Sequence, residues 1–393
     1  MKILLIVDDY LPHSIKVAAK MMHELALEFK NQGHSVYVIT PAFNIKSKFN
    51  ELNIDGVTVF QFSSGEIKNV SKVKRAINET LLSFRAWNAL KPIVYNLNCE
   101  LIVYYSPSIF WGSLVKKLKK IWNARTYLIL RDFFPQWAID NRILKKNSPI
   151  TKYFQFFEKK NYEAADSIGL MSPGNLNWFQ KYYYGNSKLK ILFNWASDKP
   201  IILNAFPYRK KFGLETKVVF FYGGNIGHAQ DMGQILRLAK KLQSNQDVAF
   251  VLVGAGDEEF LVRDTISKEN LTNILLLSPV SQEEFKRMLA EFDIGLFCLN
   301  RNHTTHNFPG KILGYLVQCL PILGSVNPGN DLKQIIEETN AGIVVEAGDD
   351  NALYEAAIKL LDKNFRHELA KNGKYLLSQK FSIRAACENI ISS

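Results

Sequence analysis

The sequence predicts an α/β protein made of two doubly wound parallel sheets, one in each half of the chain. Three observations predict it. Short apolar runs, of which Lys2-Ile3-Leu4-Leu5-Ile6-Val7 is the first, recur with helix-length amphipathic stretches between them, the alternation of βαβ units. Glycine-bearing or polar loops follow several of these runs in the second half. The charge is divided: residues 1–200 hold 28 Lys+Arg and 15 Asp+Glu, a net of +13, and the rest of the chain nets −1. A basic half and a neutral half point to two units with different partners, and 393 residues suffice for two full cores.

The run 2–7 reads as a buried parallel strand. A loop at 8–14 leads to a helix near 15–31, with Ala18, Met22, Leu25 and Phe29 at helical spacing and Gly33 ending it. Strands follow at 36–39 and 57–62. One long amphipathic helix is expected over 67–91, then a strand at 101–104. The helix near 108–122 is both aromatic and basic, with Trp111, Lys116, Lys117, Lys119, Lys120 and Trp122. A strand at 126–130 runs into Arg131-Asp132-Phe133-Phe134-Pro135. A second aromatic helix is expected near 150–164, and the last strands of this half at 167–171 and 190–193.

Residues 198–207 read as a linker, after which the alternation restarts. Strands are expected near 217–222, 248–253, 273–277, 293–298, 320–323 and 342–345. Helices are expected near 229–243, 258–268, 281–290, 309–318, 330–338 and 350–361. Two more helices, near 363–378 and 382–391, have no strand after them. The expected division is therefore a first domain at 1–200, a second at 201–378, and a closing helix at 379–393 that packs back on the first.

Several classes are excluded or disfavoured. Cys99, Cys298, Cys319 and Cys387 are far apart, with no redox or metal-ligand spacing, and fit a reducing compartment. The first apolar run meets Asp8-Asp9 at once, so it reads as a strand rather than a leader. No apolar run is long enough to span a bilayer. The basic first half carries no recognisable nucleic-acid motif.

The chemistry gathers on three loops at one sheet edge. Gly223-Gly224-Asn225-Ile226-Gly227 follows a strand and precedes a helix, a place where backbone N–H groups wrap a phosphate. Gly254-Ala255-Gly256-Asp257 repeats the pattern after the next strand. Residues 302–311 form the third loop: His303, His306 and Asn307 in a polar run, then Phe308-Pro309-Gly310-Lys311 opening a helix. A helix start with free N–H groups and a lysine beside it suits an anion. The carboxyl edge of an open α/β sheet is where ligands bind.

These residues resemble a known family. The opening strand and loop, Gln32-Gly33-His34-Ser35-Val36, the two glycine loops and above all Phe308-Pro309-Gly310-Lys311-Ile312-Leu313-Gly314-Tyr315 are similar to GT-B glycosyltransferases of family 4. The last stretch resembles the FPSK-type subgroup of O-antigen and capsule N-acetyl-L-fucosaminyltransferases. The resemblance implies two Rossmann-like domains facing each other across a cleft. It also implies transfer of an N-acetylated deoxyhexosamine such as L-FucNAc from a UDP donor to an undecaprenyl-diphosphate-linked saccharide.

The chain departs from that family at marked positions. Where relatives carry two glutamates with seven residues between them, His306 and Gly314 stand here. Where they carry an arginine and a lysine for the diphosphate, Asn225 and Gln230 stand. Lys311 is then the main cation for the leaving diphosphate, with Lys16 as a second. His306 and Asn307 are expected to address the donor sugar. Gly223, Gly224, Asn225, Gly227, Gly254, Gly256, Pro309 and Gly310 are expected to hold the nucleotide. On the acceptor side, Lys16 and the pair Arg131-Asp132 are candidates. Asp8 and Asp9 are expected to cap the first helix or face the cleft. No cluster has metal-ligand spacing, so no cofactor and no metal are expected.

Lysines mixed with aromatics in the first half suit the anionic inner face of a cell membrane, where a lipid-linked acceptor resides. The expected surface is Lys116, Lys117, Lys119 and Lys120 with Trp111 and Trp122, on a cytoplasmic, peripheral protein. Two rival readings stay open: a UDP-sugar epimerase on the same fold, and a catalytically silent glycan-binding partner.

Overall fold

The computed structural model describes every residue except 13, 15, 43–44, 46–48, 67–69, 141, 184, 206 and 303–307. The chain forms two compact α/β units. Unit 1 comprises Met1–Phe193 with Ile383–Ser393, and unit 2 comprises Asn194–Ser382.

Unit 1 is built on β1 (Lys2–Ile6), followed by α1 (Val17–Asn31), β2 (Ser35–Ala42), β3 (Phe49–Ile54) and β4 (Val57–Ser63). Three helices come next, α2 (Lys72–Thr80), α3 (Leu82–Leu90) and α4 (Val94–Leu97). Then come β5 (Leu101–Ser106), α5 (Gly112–Trp122), β6 (Arg125–Leu130), α6 (Gln136–Asp140), α7 (Pro149–Glu163), β7 (Ser167–Leu170), α8 (Pro173–Gln180) and β8 (Lys188–Ile191). The strands form one sheet in the order β3-β4-β2-β1-β5-β6-β7-β8, parallel except for β3. Strand β1 is central because its apolar run is flanked on both sides, Ile3 opposite Val36 and Leu101. Helix α1 buries Met22, Leu25 and Phe29 as its spacing predicts.

Three sequence expectations need correction here. Strand β3 is an unforeseen antiparallel edge strand. Its turn is Asp55-Gly56, both at positive φ (51° and 78°), the geometry that Asp-Gly favours in a two-residue hairpin. The single helix expected over 67–91 is two, meeting at Leu81. Hydrogen bonds from Leu81 N–H to Ile77 O (3.1 Å) and from Arg85 N–H to Leu81 O (2.9 Å) carry the helical path through the junction. Finally, Trp111 and Trp122 are buried (0% and 7% exposed). They share a face with Leu114, Val115 and Leu118, and so belong to the core rather than to a membrane interface.

Unit 2 begins with α9 (Pro207–Phe212) and β9 (Val218–Gly223), followed by α10 (Met232–Lys241), β10 (Val248–Val253), α11 (Glu259–Lys268), β11 (Ile274–Leu277) and α12 (Gln282–Glu291). It continues through β12 (Ile294–Cys298), α13 (Lys311–Val317), β13 (Ile322–Val326), α14 (Asp331–Glu338), β14 (Gly342–Glu346), α15 (Asp350–Lys359) and α16 (Lys363–Leu376). The strand order is β11-β10-β9-β12-β13-β14, all parallel. The chain winds outward from β9 in one direction, then returns to β12 and winds outward in the other. The switch point lies between β9 and β12, and the loops after these two strands flank it.

The last helix, α17 (Ile383–Ile391), belongs to unit 1. It buries Ala386, Cys387 and Ile390. Tyr127 donates its hydroxyl to Asn389 Oδ1 at 2.9 Å, and Asn389 Nδ2 donates to Ile191 O at 3.1 Å, tying the helix to β6 and β8.

Candidate active site

The glycine loop after β9 and the loop after β10 run side by side. Gly224 N–H donates to Val253 O (2.9 Å), Ile226 N–H to Ala255 O (3.0 Å) and Glu258 N–H to Ile226 O (3.0 Å). The approach is so close that a Cβ on Gly254 would lie 1.8 Å from Gly224 O, and one on Gly256 would lie 2.2 Å from Ile226 O. These two glycines therefore serve the packing of one loop on the other. Gly223 is likewise occupied: a Cβ there would meet the Phe285 ring at 2.2 Å. At Gly227 it would meet the Asp257 carboxylate at 2.4 Å. Gly224 differs from them, with φ at +120°, a conformation closed to L side chains. Its open side faces Lys311, whose Cε would lie 3.6 Å from a Cβ on Gly224.

Lys311 is the first residue of α13. Its ammonium sits 3.5 Å from the centroid of the Tyr222 ring, a cation–π contact. The Nζ is shut off from solvent and has no hydrogen-bond partner among the described residues. Burial pulls its pKa down to about 7, opposed by the nearby Cys298 sulfur. A buried cation with no counter-ion is costly unless a partner arrives. The same sheet edge therefore holds a loop that only glycine can form and an amine without an anion among the described residues, on either side of the switch point.

The remaining nucleotide candidates divide. Asn225 donates its amide to Gln230 Oε1 at 2.8 Å, and its carbonyl accepts from Tyr222 hydroxyl at 2.5 Å. The expected helix directly after Gly227 is instead a 3₁₀ turn, His228–Gln230, with α10 starting after Asp231 at φ +42°. At α13 the N–H groups of Ile312 and Leu313 donate to Pro309 O and Gly310 O (3.1 and 3.2 Å). That helix start is thus already partly satisfied, not a full set of free donors. Gly310 itself has open space where a side chain would be. Gly314 faces Leu289 of α12, so a glutamate's role there is not replaced from that position. His306 and Asn307 lie outside the described residues.

On unit 1 the carboxyl ends of β1, β5 and β6 gather Asp8, Tyr105, Arg131 and Asp132. The Arg131 guanidinium is buried, donates from Nη2 to Phe193 O at 3.1 Å, and is pulled down to about 10 by burial. It braces the loop after β8 more than it offers a surface contact. Burial pushes the Asp132 carboxyl up, and pushes Asp8 up to about 6. Neither aspartate of the first loop caps α1, whose N-cap is Lys16 with no side-chain cap bond. Lys16 instead pairs with Asp9 at 3.1 Å.

Sequence reasoning missed three residues at the second sheet's edge. His228 Nδ1 lies 2.7 Å from Glu258 and its Nε2 lies 3.5 Å from Asp257. Asn300 donates its side-chain amide to His228 O (3.1 Å) and its N–H to Ala229 O (2.9 Å). Together they stitch the loops after β9, β10 and β12. Asn300 ends an apolar strand and His228 follows a glycine cluster, which was the available signal.

Residues 205–375 match the family described as Glycosyl transferases group 1. The chain is 24% identical over 261 residues to a probable glycosyltransferase, WbjE, of Pseudomonas aeruginosa. That alignment spans 65% of this chain and 64% of the relative, just under two thirds of its length. It is 22% identical over 365 residues, 88% of each chain, to the putative colanic acid biosynthesis glycosyl transferase WcaI of Escherichia coli K12. Among solved structures it superimposes on WaaG, a glycosyltransferase involved in lipopolysaccharide biosynthesis, with TM-score 0.61 and 14% identity over 98% of both chains. It also superimposes on Anabaena HepE in complex with UDP, with TM-score 0.65 and 14% identity over 100% and 99%. At such identities the structures speak for the fold. Residues 205–375 are thus similar to the group 1 glycosyltransferases, in a chain whose two doubly wound sheets give it the GT-B fold.

Proposed function

We propose that the protein is a glycosyltransferase of bacterial surface-polysaccharide assembly. In this reading it moves an N-acetylated deoxyhexosamine, L-FucNAc in the first instance, from a UDP donor to a saccharide on a lipid diphosphate. The family match and both named relatives support a glycosyltransferase of polysaccharide biosynthesis. The UDP-bound HepE structure supports a UDP donor, and the FPGK-type helix start supports the sugar class by resemblance. The observation that carries the reading is Lys311: an enclosed ammonium without a hydrogen-bonding partner among the described residues, against a positive-φ glycine at the switch point.

The roles follow from charge. Transfer leaves negative charge on the departing diphosphate, and stabilising that charge is the main electrostatic task. Lys311 meets one phosphate. The Gly224–Asn225 backbone and the Asn225 amide meet the other oxygens, with His306 and Asn307 on the sugar. Unit 1 takes the acceptor near Asp8, Arg131 and Asp132. No metal is assigned to the diphosphate. The membrane's inner face holds the acceptor's lipid.

The test is release of UDP from UDP-L-FucNAc and related UDP-sugars, with and without a lipid-diphosphate GlcNAc acceptor. UDP release that needs the acceptor is expected. Conversion of the UDP-sugar with no acceptor present would replace this reading with an epimerase. Binding of the glycan without any turnover would make the protein a silent partner.

A further inference from the structure

Unit 1 turns a connected apolar surface toward solvent. Helix α7 presents Pro149, Tyr153, Phe156 and Lys160, spaced four, three and four residues apart and therefore on one face. Across from it, α2 and α3 turn out Ile77 and Phe84, with Thr80 between them. The Tyr153 hydroxyl contacts the Thr80 hydroxyl, which joins the two stripes. Phe84 is 63% exposed, Ile77 55%, Phe156 52% and Tyr153 39%. Single exposed apolar residues are ordinary, but four on three neighbouring helices form a patch of the kind that marks an interaction site.

Positive charge predominates around the patch, and the acid of α2 beside it, Glu79, is paired with Arg75 at 2.8 Å. Lys152 and Lys159 flank the stripe, Lys159 being 79% exposed and only loosely paired with Glu163 at 4.0 Å, and the Lys160 ammonium sits 4.3 Å from the Phe156 ring centroid. The two acids of α7 are engaged. Glu158 accepts from the Tyr162 hydroxyl at 3.0 Å and Glu163 accepts from Lys116 at 2.8 Å. Helix α5, the surface expected from sequence, has the opposite character. Its tryptophans are core, Lys116 and Lys119 are bound to Glu163 and Asp166, and Lys117 covers the Trp87 ring at 3.6 Å.

We propose that the face formed by α2, α3 and α7 is the docking surface for an anionic lipid bilayer. Phe84, Tyr153 and Phe156 lie at headgroup level, where aromatic rings settle, and Lys152, Lys159 and Lys160 lie against the lipid phosphates. The net of +13 in residues 1–200 supplies the long-range attraction. This rests on the proposed function only for its motive, a lipid-borne acceptor.

The test is co-sedimentation of the full chain with phosphatidylglycerol-containing vesicles and with pure phosphatidylcholine vesicles, with no donor or acceptor present. The parent should bind the anionic vesicles and not the neutral ones. Phe84→Ser with Phe156→Ser, and separately Lys152→Glu with Lys159→Glu, should each weaken binding by about tenfold or more. Both should keep the parent's melting temperature, since all four side chains face solvent. Lys117→Glu with Lys120→Glu on α5 should stay within about twofold. Patch variants that bind like the parent, loss confined to the α5 variant, or no parent binding to either vesicle would each overturn the assignment. So would a dimer in sedimentation velocity that Phe84→Ser with Phe156→Ser dissolves, which would give the face to a second copy. Vesicle binding without sugar transfer would sink the proposed activity and leave the surface standing.

Discussion

Lys311 combines two properties that pull against each other. Its amine is enclosed, and burial brings the pKa to about 7 from the ordinary 10.5. Between those values the unfolded chain binds more protons than the folded one. The stability penalty from this group is therefore full below about pH 7 and fades as pH rises toward 10.5. Lys311→Met keeps the stem over the Tyr222 ring and removes the charge. Without nucleotide, that variant should melt no lower than the parent at pH 7. Its transfer rate should fall by about a hundredfold or more, roughly 3 kcal/mol of lost charge stabilisation. A loss under about threefold would remove Lys311 from the phosphate. The same shift makes UDP binding proton-linked, because the diphosphate favours the ammonium form. UDP affinity should fall as pH rises above 7, by up to about tenfold per unit. Calorimetry at pH 8 in two buffers of different ionisation heat should show proton uptake in the parent and none in Lys311→Met. Equal uptake in both would place the titrating group elsewhere.

The elements were readable where one face is buried and ambiguous where aromatic residues surround a helix. Strand runs such as 2–6 and 248–253 have no polar face and read directly. Trp111, Leu114, Val115, Leu118 and Trp122 recur at helical spacing, so the sequence itself held the signal that both tryptophans are core. In α7, Tyr153, Phe154, Phe156 and Phe157 occupy too much of the circumference for periodicity to decide which side faces water. The glycines raise a different ambiguity. A glycine that admits a ligand and one that admits a neighbouring loop look the same in sequence, and only the distance to Gly224 O separates them. Gly254→Ala should therefore destabilise unit 2 by about 1–3 kcal/mol, seen as a lowered denaturant midpoint, since backbone must shift. Gly310→Ala, which meets nothing, should leave the midpoint unchanged. If the donor's phosphate comes close at the α13 start, Gly310→Ala should still weaken UDP binding. Unaltered affinity would take Gly310 out of the site.

At the scale of the molecule, the two-sheet division was readable from the restarted alternation, whereas its chain path was harder to place. The break falls at 193/194, before the polar stretch that reads as a linker, because Ala196 N–H donates to Phe381 O at 2.9 Å and ties that stretch to unit 2. Among the described residues no three His, Cys, Asp or Glu side chains gather as metal ligands. If Lys311 and the loop backbone meet the diphosphate as proposed, turnover should survive EDTA, and activity lost to chelator and restored by magnesium or manganese would contradict that chemistry. Among the described residues no helix is long and apolar enough to cross a membrane. Removing residues 383–393 strips α17 from α1 and should lower the melting of unit 1 while leaving unit 2 unchanged. Hydrogen exchange in β1 and β6 would report it, and unchanged protection there would show that α17 is dispensable. The order in which the chain emerges from a ribosome gives this arrangement a temporal side. Unit 2 is one continuous segment and can close as soon as Ser382 is out. Unit 1 is nearly all synthesised first, yet it lacks a helix of its own until α17 arrives. The earlier-made sheet is therefore completed last, with part of α1 left uncovered until the whole of unit 2 has been made.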